Sequence, residues 1–246
     1  MNDTLQREIG VSQASAAGLP SHDRARLYHF LELAVAHPGE DGYAYFCEPS
    51  TEDEFMRLYS EVMGDSGPMK VRGMAAAARF FARLRSMSYE EVESAHIGLF
   101  TNNHPYLPCP PYGSLFTAQD GDKRLEEMLA IKQFYQANGV DIADTYDDLP
   151  DHLCVELEFV QLMCFRADEA ELADDTALLE GVRTSMLEFM DRFLLPFVTR
   201  LADIAAGAAP DNPYSDLLEV SRCALAGHRF DLSGGESHRH IQERQS

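Results

Sequence analysis

The clearest group of residues that could do chemistry lies near position 152. Asp151, His152 and Glu156 place two carboxylates beside an imidazole, and His152 and Glu156 share one helix face because they are four residues apart. Such residues occur in metal sites and in hydrolytic triads. Neither site can be completed from the sequence, because no third or fourth metal ligand is identifiable and no serine or cysteine lies in a nucleophile-elbow motif. A histidine that caps a helix or holds a hydrogen bond is the simpler interpretation.

A second candidate is the pair Glu93 and His96, which has E-x-x-H spacing on a predicted helix. Di-iron bundles use two such pairs and two further glutamates, because two metal ions need ligands from four helices. The sequence contains no second pair. A helical metalloenzyme that uses Glu93, His96, His152 and Glu156 is therefore the alternative hypothesis, and a pair without metal is favoured.

Composition excludes several classes of function. The 246 residues carry a formal net charge of −21, which repels phosphate backbones and argues against nucleic-acid binding. No segment approaches the roughly 20 apolar residues of a membrane span, so no membrane insertion is expected. The first residues, MNDTLQREIG, lack the apolar segment of a secretory signal. The five cysteines form no C-x-x-C pair, so we expect a cytoplasmic protein with reduced thiols. No glycine-rich phosphate loop is present.

These side chains must be positioned by helices, because apolar residues recur at helical spacing and no segment alternates as a strand would. The pattern predicts an all-α bundle of eight or nine helices in one domain over residues 21–230. Residues 1–20 are predicted to form a flexible arm and residues 231–246 a disordered tail. Residues 101–122 contain four prolines and two glycines and are predicted to form a central hinge or loop.

Local signals predict where some helices begin and end. The segments TEDE (51–54) and SYEE (88–91) have the spacing of capping boxes. Asp148 or Asp151 is expected to cap the helix that follows them. Pro196 lies inside a long helical pattern and predicts a kink or a break, because proline removes a backbone hydrogen bond.

Three segments together resemble one known family. They are HIGLFTNNHPYLPCPPYGSLF (96–116), FYQANGVDIADTYDDLPDHLCVELEFVQLM (134–163) and FLLPFVTRLADIAAGAAPDNPYSDLLEV (193–220). Their motifs and their order resemble the TorD/DmsD/NarJ family of cytoplasmic maturation chaperones for molybdenum enzymes. The segments PCPPYGSLF and LPDHLCVELEF are most similar to the branch that serves type II enzymes of the dimethyl-sulfoxide-reductase group.

The resemblance implies a helical bundle of two parts joined by a hinge, and a chaperone without catalytic activity. The implied partner is the apo catalytic subunit of a bis-molybdopterin-guanine-dinucleotide enzyme, and in many members also its basic twin-arginine signal peptide. Export would then be delayed until the cofactor is inserted. No resident cofactor is implied. A transient contact with the molybdenum cofactor or a guanine nucleotide is a third hypothesis, and both a monomer and a domain-swapped dimer fit the resemblance.

The family motifs also imply a set of residues that bind the client or its signal peptide. In this role Phe100 and Tyr112 would contact the apolar part of the signal, and Asp151 and Glu156 would attract its arginines. His152 would orient an acid or add a donor. Alternatively, Asp151 and His152 only fix the hinge and the helix start. The full set comprises Leu99, Phe100, Pro111, Tyr112, Ser114, Pro150, Asp151, His152 and Glu156.

The segment LPCPPYGSLF (107–116) is therefore predicted to form one wall of a client-binding groove. Two features depart from the family pattern. The chain contains no tryptophan, which several relatives place in the groove, and His96 stands where members often carry an aromatic residue. Cys109 has no assigned role, and a small buried thiol is the expectation.

Overall fold

The computed structural model describes residues 20–64, 66–118, 120–142 and 148–234. The first helix begins at Pro20 and the last ends at Leu232. The predicted arm therefore lies outside the described residues except for its last position. The predicted tail lies outside them after residue 234, and its first two residues belong to the last helix.

The described part of the chain is all-α, as the sequence predicts. The helices are α1 (Pro20–Val35), α2 (Glu40–Cys47), α3 (Pro49–Met63), α4 (Pro68–Ser86), α5 (Tyr89–His96), α6 (Ser114–Thr117), α7 (Gly121–Ala137), α8 (Leu153–Leu172), α9 (Thr176–Phe189), α10 (Leu195–Ala208) and α11 (Pro213–Leu232). A π-helical turn (Ile97–Thr101) extends α5, and another (Met190–Leu194) joins α9 to α10. With these joins the described residues form ten continuous helices. The two short ones, α2 and α6, were not predicted. None of these helices is both long and apolar enough to cross a bilayer.

The core is formed mainly by two helix pairs from distant parts of the chain. Helix α1 packs along α8, and α4 packs along α11, which also contacts α10. Large side chains on these helices, such as Leu31 of α1, Phe81 of α4 and Phe197 of α10, are fully buried. The α4–α11 contact is edged by an ion-pair cluster, in which Asp216 lies 2.7 Å from Arg79 and 3.0 Å from Arg83.

The capping-box predictions had opposite outcomes. At the start of α5 both reciprocal bonds form: the Ser88 amide donates to Glu91 at 2.7 Å and the Glu91 amide donates to Ser88 Oγ at 3.3 Å. The box at 51–54 is wrong, because α3 already begins at Pro49. A proline is favourable in the first helical turn, where its missing amide proton is not needed. Thr51 therefore lies inside the helix, and its hydroxyl donates to the carbonyl of Tyr45 at 2.7 Å.

Pro196 does not break the helical path. The π-helical turn before it ends at Leu194, so Pro196 is the second residue of α10. Proline has no amide proton to donate to the preceding turn, and the wider π turn takes up the local change in hydrogen bonding. In place of the kink or break predicted at Pro196, the structure has a π turn within a continuous helix.

Between the first π turn and α6 the chain is irregular but well anchored. The amide of Cys109 donates to the carbonyl of Leu99 at 3.1 Å, and its thiol contacts the Leu201 carbonyl at 3.8 Å. The Cys109 side chain is fully buried, which confirms the expectation of a small buried thiol. Burial raises the pKa of this thiol to about 12, so it is unreactive at neutral pH.

Two glycines in helix interiors give opposite predictions. A Cβ at Gly73 would overlap the buried hydroxyl of Tyr59 and lie 3.1 Å from Cys223 Cβ, whereas a Cβ at Gly181 would meet no atom within 4 Å. We expect Gly73→Ala to lower the free energy of unfolding by about 1–3 kcal/mol through overpacking. Gly181→Ala should raise it by roughly 0.5–1 kcal/mol because alanine favours helix. Urea unfolding measures both, and a Gly73→Ala protein as stable as the wild type would contradict the close packing.

Candidate functional site

A pocket of about 460 Å³ opens between the end of α1, the π turn after α5, the irregular segment before α6 and the start of α8. Its walls combine aromatic and aliphatic side chains with three imidazoles and two carboxylates. They are Glu32, Val35, Ala36, His37, His96, Phe100, Thr101, Leu107, Pro111, Tyr112, Asp148, His152 and Cys154. Phe100, Pro111, Tyr112 and His152 belong to the set predicted from the sequence.

One wall of the pocket, Pro111–Ser114, is held against the start of α8 by backbone hydrogen bonds. Tyr112 and His152 form an isolated antiparallel bridge. On either side of it, the Leu153 amide donates to the Pro111 carbonyl at 2.9 Å, and the Gly113 amide donates to the Asp151 carbonyl at 2.9 Å. The rings of Tyr112 and His152 meet edge to face, with centroids 5.2 Å apart. Residues some 40 positions apart in the chain are thereby brought into one surface.

Asp151 supports this wall from inside the protein. Its side chain is fully buried, and Oδ2 accepts a hydrogen bond from the Ser114 amide at 3.0 Å. The expectation that Asp148 or Asp151 caps α8 is wrong. His152 is the cap, with Nδ1 accepting from the Cys154 amide at 3.2 Å. This role fits the interpretation of His152 as a capping residue.

Glu156 is also fully buried, one turn into α8. A Cβ on Gly113 would lie 3.1 Å from Oε1 of Glu156 and 3.4 Å from the ring of Phe197, so glycine at position 113 lets the loop pack closely against both side chains. Burial raises the pKa of Glu156 well above its ordinary value, and the charges of Asp151 and Glu127 raise it further. The predicted attraction of arginines by Asp151 and Glu156 is therefore contradicted in its direct form, because neither carboxyl reaches solvent.

Three further members of the predicted set support the wall without lining the pocket. Leu99 packs in the core and accepts the Cys109 amide through its carbonyl. Ser114 is buried at the start of α6, where its amide binds Asp151. The Pro150 carbonyl accepts the hydroxyl of Tyr135 at 3.0 Å, which fixes the segment before α8.

The carboxylates that do line the pocket were not predicted. Glu32 comes from α1, and burial, followed by the charge of Glu158, raises its pKa to about 7. Asp148 lies 3.6 Å from Nε2 of His152. The four-residue spacing of Asp148 and His152 could have indicated this pair. Nothing in the sequence distinguishes Glu32 from an ordinary surface acid of an amphipathic helix.

The polar groups of Tyr112 and His152 are directed to Asp148. Burial raises the pKa of the Tyr112 hydroxyl, as does its hydrogen bond with Asp148. Burial lowers the pKa of His152, against the opposing charges of Asp148 and Asp151. A neutral His152 whose Nδ1 accepts from a backbone amide carries its proton on Nε2, facing Asp148. Both side chains thus present mainly their ring surfaces to a ligand.

His96 acts as a buried aromatic residue. Its Nε2 donates to the Val35 carbonyl at 3.0 Å, and its ring lies 5.0 Å from the rings of Phe100 and Tyr214. Burial lowers the pKa of His96 to about 4, so the ring is neutral at physiological pH. The position therefore keeps the aromatic character that the family pattern has there.

The metalloenzyme alternative is not supported by the geometry. Glu93 accepts the Tyr89 hydroxyl at 3.2 Å, and Glu156 faces Gly113 and Phe197. Within the described ranges, no three His, Cys, Asp or Glu side chains lie close enough together to hold a metal ion. Glu93, His96, His152 and Glu156 therefore do not form a ligand set. The pocket is lined by apolar rings and by two carboxylates, which suits binding of an extended, basic segment with apolar side chains.

Comparison with known proteins identifies a family for the chain. The sequence matches the family model described as nitrate reductase delta subunit over residues 68–203, more than half of the chain. No curated protein matches the sequence. Among solved structures, a protein from Archaeoglobus fulgidus described as a redox enzyme maturation protein aligns with a TM-score of 0.43 and 20% sequence identity. That alignment covers 90% of this chain and 99% of the other.

Glu32 gives the pocket a measurable pH dependence. The pKa of Glu32 is raised from 4.5 to about 7 in the folded protein. Between these pH values the folded protein holds a proton that the unfolded chain has lost, so the free energy of unfolding falls as pH rises. We expect Glu32→Gln to gain about 1–2 kcal/mol of unfolding free energy relative to wild type between pH 5 and pH 8, because the carboxyl is partly solvated. Urea unfolding at both pH values measures this, with exposed Glu188→Gln as the control. If Glu32→Gln and Glu188→Gln change the free energy of unfolding by the same amount between the two pH values, the raised pKa of Glu32 is contradicted.

Proposed function

Because the chain belongs to the nitrate reductase delta subunit family of NarJ/TorD-type maturation chaperones, which are not catalytic enzymes, we propose that its pocket binds an extended segment of the apo catalytic subunit of a molybdenum oxidoreductase. The segment would be basic and partly apolar, as a twin-arginine leader is. Binding in the cytoplasm would hold the client until its cofactor is inserted and delay its export. The client enzyme would belong to the type II dimethyl-sulfoxide-reductase group.

One observation carries the proposal. Residues taken from two separate family motifs meet in a single pocket, which Phe100, Pro111 and Tyr112 line together with His152. Apolar rings held by a rigid wall lose little conformational freedom when a peptide binds, so contact area converts efficiently into affinity. Tyr112 is only partly buried, and it is therefore available to a ligand.

Charge supports a basic segment. The protein has a formal net charge of −21, and the two carboxylates that line the pocket, Glu32 and Asp148, take the electrostatic role first assigned to Asp151 and Glu156. Arginine binds carboxylates through paired charge-assisted hydrogen bonds. Long-range attraction also speeds the encounter with a basic chain at low ionic strength.

The proposal is tested by binding, with the catalytic subunit of a neighbouring molybdenum-enzyme operon as the client. Isothermal titration of purified protein with the apo subunit, with and without its leader, should show a complex in both cases and tighter binding with the leader. Tyr112→Ala should weaken binding by about 1–3 kcal/mol if Tyr112 is an anchor. Tyr106→Ala is the matched control, because Tyr106 belongs to the same irregular segment, is 72% exposed and does not line the pocket. If Tyr112→Ala and Tyr106→Ala bind the client equally well, the pocket is not the binding site. If the protein binds neither form of the client, the proposed function is wrong.

The charge of the pocket predicts a salt-dependent loss. The double variant Glu32→Gln, Asp148→Asn should bind the leader more weakly than wild type, and the difference should shrink as salt is added, because screening weakens partly exposed charge pairs. Titrations at low and high ionic strength measure this. Glu188→Gln, Glu169→Gln, which removes the same number of exposed charges away from the pocket, is the control. A loss of the same size in the control would assign the effect to net charge alone.

A further inference from the structure

A second, smaller cleft opens between α1, α2 and α3, and its volume is about 150 Å³. Phe30, Phe55 and Leu58 line it, and the ring centroids of Phe30 and Phe55 are 4.4 Å apart. Phe55 and Leu58 are buried, whereas Leu33 and Tyr45, which also line the cleft, are 45% and 47% exposed. The cleft therefore combines closely packed apolar side chains with apolar side chains that solvent still reaches.

Most polar groups of this cleft already have partners. Nη2 of Arg26 donates to Oε1 of Glu54 at 2.6 Å, and both side chains line the cleft. The Thr51 hydroxyl donates to the Tyr45 carbonyl at 2.7 Å, which joins the end of α2 to α3. A ligand would therefore gain mainly apolar contact in the cleft.

Helix α1 lies between the cleft and the pocket and contributes to both. His29 and Leu33 line the cleft, and Glu32 and Ala36 line the pocket. Residues three positions apart are neighbours on a helix surface, and Nδ1 of His29 lies 3.7 Å from Oε2 of Glu32. The two cavities are thus separated by about one helix diameter, roughly 10–12 Å.

The size of the cleft indicates what could fill it. An apolar cavity of about 150 Å³ holds one benzene-sized group, which is comparable to a leucine, isoleucine or phenylalanine side chain. A stable contact between two copies of the chain would bury about 800 Å² on each partner, far more than this cleft offers. One apolar side chain gains too little to bind alone, so its chain must also be held elsewhere. The pocket on the other side of α1 is the adjacent site that can hold it.

We propose that the cleft is a second subsite for the client, and that it takes one leucine, isoleucine or phenylalanine side chain of the segment whose basic residue binds at Glu32 and Asp148. The inference rests on the proposed function, because the pocket supplies the other contacts. An extended chain rises about 3.3 Å per residue and directs alternate side chains to the same side. Four residues span about 13 Å, so the apolar residue stands four positions from the basic one.

Synthetic peptides test this spacing. Each peptide carries two adjacent arginines in a background of serine and glycine, with one leucine placed one, four or eight positions from the nearer arginine, on either side. Leucine at four positions, on one side of the pair, should raise the affinity about tenfold over the peptide without leucine, because its side chain leaves water. Fluorescence anisotropy at low salt measures this. The same gain at every position would overturn the inference.

Variants of the protein assign the gain to the cleft. Leu33→Ala should reduce the leucine-dependent gain from about tenfold to about twofold, because the cleft loses an exposed apolar contact. Leu178→Ala is the matched control and should leave the gain unchanged, because Leu178 is 51% exposed on α9 and lines neither cavity. Both leucines are about half exposed, so neither change opens the core. An equal gain in wild type and Leu33→Ala would overturn the inference.

Failure of this inference is distinguishable from failure of the proposed function. If Tyr112→Ala weakens binding of the peptides and Leu33→Ala changes nothing, the pocket binds the client and the cleft does not. If neither the apo subunit nor any arginine peptide binds the wild type, the proposed function and this inference are both wrong. Sedimentation of the free protein tests another occupant. A dimer that Leu33→Ala dissociates would assign the cleft to a second copy of the chain and overturn the inference.

Discussion

The pocket depends on the attachment of a proline-rich segment to the first turn of a helix that follows it some 40 residues later. Three backbone-directed hydrogen bonds make this attachment, two between main-chain groups and one from the Ser114 amide to Asp151. An irregular segment without regular hydrogen bonding is ordered only if its amides and carbonyls find partners elsewhere. Here those partners are at the start of α8, so the segment's aromatic side chains are held in fixed positions without a sheet or a disulfide.

The acids of the site fall into two electrostatic classes. Glu32 and Asp148 line the pocket and can meet a cation, whereas Asp151 and Glu156 are sealed behind the wall. The sequence does not distinguish the two classes of acid, because it shows only that a carboxylate is present and not whether it is buried. Burial decides the difference, because it closes Asp151 and Glu156 off from a ligand and leaves Glu32 and Asp148 within reach of one.

The sequence predicted the helices with long apolar repeats and the Ser88–Glu91 cap, because each rests on local spacing. It did not predict α2 and α6, which are too short to show a period. The box at 51–54 failed because Pro49 provides an earlier start. Phe100 and Tyr112, which the family motifs indicated, line the pocket, and their role in binding stays a prediction. Glu32 and the burial of Glu156 were missed because both follow from contacts between helices distant in the chain.

The pairing of α1 with α8 and of α4 with α11 has a consequence for biosynthesis. A ribosome releases α1 and α4 well before their partners exist, and neither can bury its apolar face on the helices made next to it alone. The pocket takes walls from both α1 and α8, so no shortened nascent chain that ends before α8 can contain it. Long-range contacts of this kind also slow folding, because distant segments must meet before they gain stability. The pocket can therefore form only after the start of α8, which carries Cys154, has been synthesised.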